Sequence, residues 1–249
     1  WPWTRAARII LRILGYAPDS ALAIEFHQRI ASSIVKELDQ ELEDRSRRGR
    51  RDYEFMQEVF QRLARFVLKL DEKRALHVCE PFLEAVARHP GEIKDFVQDL
   101  VVEADRRSEE DPFWAVWQAF ANTICTAPWI EQLDSRYSPG KGLVGVILLR
   151  NYWDENLRHW RRLEGHGHRV DELAKRFRGS AEVFDAYCLF LYKIGETSLP
   201  KGFMILADSL AAGDPTVMLA GGNTVFLLES MLRRSVYAEP HRLKSDPAM

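Results

Sequence analysis

Five arginines, Arg45, Arg47, Arg48, Arg50 and Arg51, crowd into the segment DRSRRGRRD at positions 44–52. Guanidinium groups at that spacing could grip phosphates and release their counterions. They could equally meet the carboxylates of an acidic protein surface. The segment has no apolar residue and a central glycine, so it reads as a loop or a frayed helix end. Glu41, Glu43, Asp44, Asp52 and Glu54 partly neutralise it, and no aromatic residue stands among the arginines to stack on bases. Three readings follow: a solvated loop, a contact for a protein partner, and a contact for nucleic acid.

Other residue groups point to structure rather than chemistry. Pro139-Gly140-Lys141-Gly142 lacks the upstream glycine and the following Ser or Thr of a phosphate-binding loop, and reads as an inter-helical loop. His159, His166 and His168 form the densest histidine group, but no cysteine or His-Glu-x-x-His motif accompanies them. They read as solvated residues near a helix end, and His27 as a satisfied core residue. Asp154 and Glu155 are adjacent and point to different faces of a helix, with Asp154 placed to pair with Arg158. Glu109, Glu110 and Asp111 stand at a helix start, where carboxylates favour the dipole. Cys79, Cys125 and Cys188 are far apart and form no C-x-x-C pair, as expected for buried thiols in a reducing compartment. No catalytic residue, metal ligand or cofactor is therefore assigned. Trp114 with Trp117, and Trp153 with Trp160, fall at helical spacing and are expected to fill helix junctions.

The elements that must carry these groups are helices. Phe55, Val59, Leu63, Phe66, Val67 and Leu70 form one apolar stripe, Ile93, Phe96, Val97, Leu100 and Ala104 another, and Val183, Tyr187, Leu191 and Ile194 a third. The spacing predicts helices from Trp3 to Leu14, from a cap at Asp19 to Glu43, from Tyr53 to Leu70, and from a cap at Asp71 to His89. Pro81 is expected to kink or split the last of these. Further helices are expected to Arg107, over Phe113–Thr126, from Pro128 to Tyr137, and as one long helix from Leu143 through Trp160. Leu143–Leu149 alone could also be a buried strand. Shorter helices follow over Val170–Phe177, Ala181–Ile194, Lys201–Ala212, Pro215–Leu219 and Thr224–Val236. Ser138–Gly142 is the clearest break, expected to be exposed and to separate an N-terminal lobe (1–137) from a C-terminal lobe (143–238), with a mobile tail at 239–249.

Helix pairs of this length imply units of roughly 35 to 45 residues, the range of helical repeats. In helix length, punctuation and the proline at Pro81, the chain resembles irregular repeats of the HEAT type. The resemblance implies an all-α fold, an irregular α-solenoid of antiparallel helix pairs; an irregular helical bundle is the alternative. The stretch GDPTVMLAGGNTVFLLESMLRR, Gly213–Arg234, is similar to the closing turns of helical-repeat regions that follow nucleotide-binding domains in large bacterial proteins. No nucleotide-binding motif accompanies it.

Charge and composition narrow the function classes. A net charge of −2 gives no global attraction to nucleic acid or acidic membrane, so only a local patch could bind either. The longest apolar run, Leu143–Leu149, falls far short of the roughly 20 residues of a membrane span. The chain opens on Trp1-Pro2-Trp3 without a signal peptide, and is expected to be a cytoplasmic module of a longer protein. The expected function is a non-enzymatic scaffold or recognition module that binds a protein or another domain of its parent chain. The alternative is a nucleic-acid-binding helical module using Arg45–Arg51, and the third is an all-helical enzyme without a linear motif.

Overall fold

The computed structural model describes residues 17–43, 53–107, 111–133, 138, 140–148 and 180–194, with single positions at 169, 172, 173, 176 and 229. These residues form helices and turns, with no strand among them. Helix α1 spans Ala21–Glu43, α2 Tyr53–Val67, α3 Glu72–Ala85, α4 Pro90–Arg107, α5 Asp111–Ile124, α6 Lys141–Ile147 and α7 Ala181–Ile194. A 3-10 turn, Ile130–Gln132, lies between α5 and α6.

Local chemistry accounts for several of the helix ends. Asp71 takes an extended backbone conformation (φ −68°, ψ 164°) and its carboxylate accepts the Arg74 N–H at 2.9 Å, capping α3 as expected. Pro90 opens α4, where its missing N–H costs no helical bond, and the His89 carbonyl accepts the Ile93 N–H at 3.1 Å. Ser180 caps α7: its hydroxyl accepts the Val183 N–H at 3.3 Å and its carbonyl the Phe184 N–H at 3.0 Å. The bounds of α7 are those read from its stripe.

Four local expectations are corrected. The cap position of α1 is Ser20 rather than Asp19: the Ser20 carbonyl accepts the Ile24 N–H at 3.1 Å, while Asp19 lies 3.3 Å from Arg74. Of the two outcomes expected at Pro81, a kink or a split, the split does not occur, and α3 runs unbroken across it. The carbonyl deprived of its partner there belongs to His77, an exposed residue, so the lost bond costs less than it would in the core. Leu143–Ile147 is helical, as expected, but α6 ends at Ile147 instead of continuing as one long helix. The 138–142 turn is not uniformly exposed, because Gly140 is buried. A methyl group on Gly140 would collide with the six-membered ring of the Trp129 indole, which lies against its backbone.

The chain divides into two compact units, Trp1–Ile147 and Leu148–Met249. Helix α6 thus joins the first unit, whereas the expected boundary at 138–142 would have assigned it to the second. The physical reason is that α6 packs on α4, and the Trp117 indole N–H donates to the Ile147 carbonyl at 2.9 Å.

Within the first unit each helix packs most closely on the next but one: α1 on α3, α2 on α4, α3 on α5 and α4 on α6. The side-chain contacts show that such partners run parallel. Asp19 meets Arg74 near the starts of α1 and α3, Gln28 reaches His77 and Glu80 farther along, and Asp39 meets Arg88 beyond the end of α3. Arg65 of α2 meets Glu103 of α4, and Lys94 of α4 lies beside Gly142 of α6. Two rows result, α1–α3–α5 and α2–α4–α6, with the chain alternating between them, an all-α layering that fits a helical bundle or a solenoid.

An apolar core fills the space between the rows. Phe60, Phe82, Phe96 and Phe120, from α2, α3, α4 and α5 in turn, form a continuous aromatic chain with centroid spacings of 5.8, 4.6 and 6.3 Å. All four are buried. In the second unit, α7 buries Val183, Phe184, Asp185, Ala186 and Tyr187.

Candidate functional site

The arginine group Arg45, Arg47, Arg48, Arg50 and Arg51 lies outside the described residues, between the end of α1 at Glu43 and the start of α2 at Tyr53. Trp153, Trp160, His159, His166, His168, Asp154, Glu155 and the tail from 239 also lie outside them. Of Gly213–Arg234, only Glu229 is described, and it is helical.

Trp114 and Trp117 do what their spacing implied. Both are buried in α5, and their rings meet edge to face at 5.4 Å. His27 is a core residue, also as expected. Its ring stacks on Phe66 with centroids 3.5 Å apart, and its Nδ1–H donates to the Ala23 carbonyl at 2.7 Å. Burial lowers its pKa from 6.5 to about 4, so at neutral pH it is an uncharged aromatic plate. Cys79 is fully buried and burial pushes its thiol far up, which removes it as a nucleophile. Lys141 begins α6, so its loop leads into a helix of the α2–α4–α6 row.

Two ionic clusters that the sequence did not single out are built from different helices. In the first, Asp39 near the end of α1 receives the Arg88 guanidinium at 3.1 and 3.3 Å and the His89 Nε2–H at 2.7 Å. Arg88 first, and His89 after it, hold the Asp39 carboxyl below its ordinary range. His89 is buried, so this carboxylate satisfies a ring nitrogen that would otherwise be stranded. The cluster fastens α1 to the α3–α4 corner.

The second cluster lies along α4. Asp95, Asp99 and Glu103 stand one turn apart on one stripe. Glu103 is buried and holds two arginines: Arg65 of α2 at 2.9 Å and Arg106 at 3.2 Å. Asp95 is exposed and pairs with its neighbour Lys94 at 3.1 Å. Asp99, half-buried between the two, accepts no hydrogen bond and joins no ion pair among the described residues. The available sequence signal was a run of acids at every fourth position, one of which falls beside the apolar stripe of α4. It was hidden because charged residues at that spacing ordinarily mark a solvated face.

Among the described residues, no three His, Cys, Asp or Glu side chains come together to hold a metal ion. No described helix is long and apolar enough to cross a membrane. No protein-family model and no curated protein matches the chain.

Proposed function

We propose that this chain is a non-enzymatic helical recognition module, built of irregular HEAT-like repeats, that binds a protein or another domain of its parent chain in the cytoplasm. The observation that supports this most is the parallel stacking of alternate helices in the first unit. Such rows bury the faces that meet their neighbours and leave a long solvated face on each, the kind of surface that repeat proteins use for binding. Arg65 and Glu103, paired across two successive helices of one row, are 38 positions apart, within the expected repeat length. The first row is spaced more widely, with Gln28 and His77 49 positions apart, because the arginine segment is inserted between α1 and α2. In this reading the insertion supplies charge for steering and the helix rows supply the surface.

The test is the triple change of Arg47, Arg48 and Arg50 to Ser in the full chain. Thermal stability is expected to stay nearly unchanged, since exposed charges contribute about 0–1 kcal/mol each. Association with the parent protein's remaining domains, measured by biolayer interferometry, is expected to slow several-fold and to lose part of its salt dependence. Salt-sensitive binding of DNA or RNA by the unaltered chain, abolished by the triple change, would replace this reading with a nucleic-acid-binding one. An unchanged association rate would leave the segment as a solvated loop and remove its role.

A further inference from the structure

The row of carboxylates on α4 has an uneven supply of counter-charge. Both arginines that reach it, Arg65 and Arg106, are engaged by Glu103. Asp99 sits one turn away, half-buried, with a carboxylate on either side and no hydrogen-bond or ion-pair partner among the described residues. An ionised Asp99 would repel Glu103 and compete for its arginines, one of which is the ionic link between α2 and α4. A neutral Asp99 does neither.

We propose that the α2–α4 seam is a pH-sensitive joint, closed while Asp99 is neutral and loosened when Asp99 ionises. Burial first, and then the charges of Asp95 and Glu103, push the Asp99 carboxyl up from 3.8 to about 7 against the opposing pull of Arg65 and Arg106. Of the helices packed against α4, α2 contributes Arg65, and no described group of α3, α5 or α6 adds to that field. Because the folded state holds the proton more tightly than the unfolded chain, the contribution of Asp99 to stability falls as pH rises from about 4 to about 7, then levels off. The joint therefore loosens across the near-neutral range.

His27 acts with the opposite sign. Its lowered pKa costs stability as pH falls from 6.5 toward about 4. The difference between variant and parent, rather than the parent profile alone, therefore isolates Asp99. Thermal unfolding of the full chain and of Asp99→Asn should give nearly matching midpoints near about pH 4, with the variant's advantage widening as pH rises to roughly 10 °C near about pH 8. An offset that does not change with pH would overturn the proposal. Carboxyl carbon-13 resonances of the unaltered chain provide a second reading that does not depend on the variant folding. The Asp99 signal should titrate near 7, and Asp95→Asn should move that midpoint downward. Titration of Asp99 in the ordinary carboxylate range near about 4 would overturn the proposal, as would a midpoint indifferent to Asp95.

Discussion

Asp39 holds two side chains from the α3–α4 corner, and the two are not equal in consequence. Arg88 is half-exposed and water can replace its partner, whereas His89 is buried and its Nε2–H has nowhere else to donate. Replacing Asp39 with Ala is therefore expected to destabilise the chain by about 1–3 kcal/mol, chiefly through the stranded histidine donor. Replacing Asp19, whose carboxylate is 86% exposed at its contact with Arg74, should alter stability by less than about 0.5 kcal/mol. Urea unfolding of both variants tests the contrast. Equal losses would show that the Asp39 cluster is a surface ion pair like any other.

At the scale of elements, the turn into α6 depends on the absence of a side chain. Gly140 lies flat against the Trp129 indole, and Trp129 is itself buried, so neither partner can give way cheaply. Gly140→Ala is expected to cost about 1–3 kcal/mol through overpacking. Gly91, at the second position of α4, has nothing within 4 Å of the space a methyl group would occupy. Gly91→Ala should therefore be neutral or stabilising by up to about 1 kcal/mol, through helix propensity and a less flexible unfolded chain. Thermal unfolding of the pair checks both signs at once. The same packing explains why a proline- and glycine-rich stretch is not a domain boundary. Gly140 sits in the turn that delivers α6 onto α4, so composition signalled a turn correctly and said nothing of what the turn was folded against.

For the whole molecule, the division after Ile147 makes the region before it a unit with its own core. Trypsin acting briefly on the full chain is accordingly expected to cut within Arg45–Arg51 before it cuts at Lys141, since the turn before Lys141 is held by the Gly140–Trp129 contact. Mass spectrometry of the first fragments decides this. Early cleavage at Lys141 with the arginine segment intact would show that α6 is more loosely held than its packing on α4 implies.

The periodicity of apolar residues was enough to determine that the chain is helical, and it placed α2, α4 and α7 to within a few residues. The reason is local: a stripe repeating every three or four positions can be buried only by a helix, and Asp71 and Pro90 mark ends through bonds made within one turn. Which helix lies on which was not legible. The parallel pairing of α1 with α3 and of α2 with α4 depends on how whole faces fit, and contacts such as Arg65–Glu103 join residues 38 positions apart. The uneven charge supply around Asp99 is likewise a tertiary property. In the sequence it is one acid among several on a helix; only the arrival of Arg65 from α2 at Glu103, and the partial burial of the carboxylate, leave it without an ion pair among the described residues.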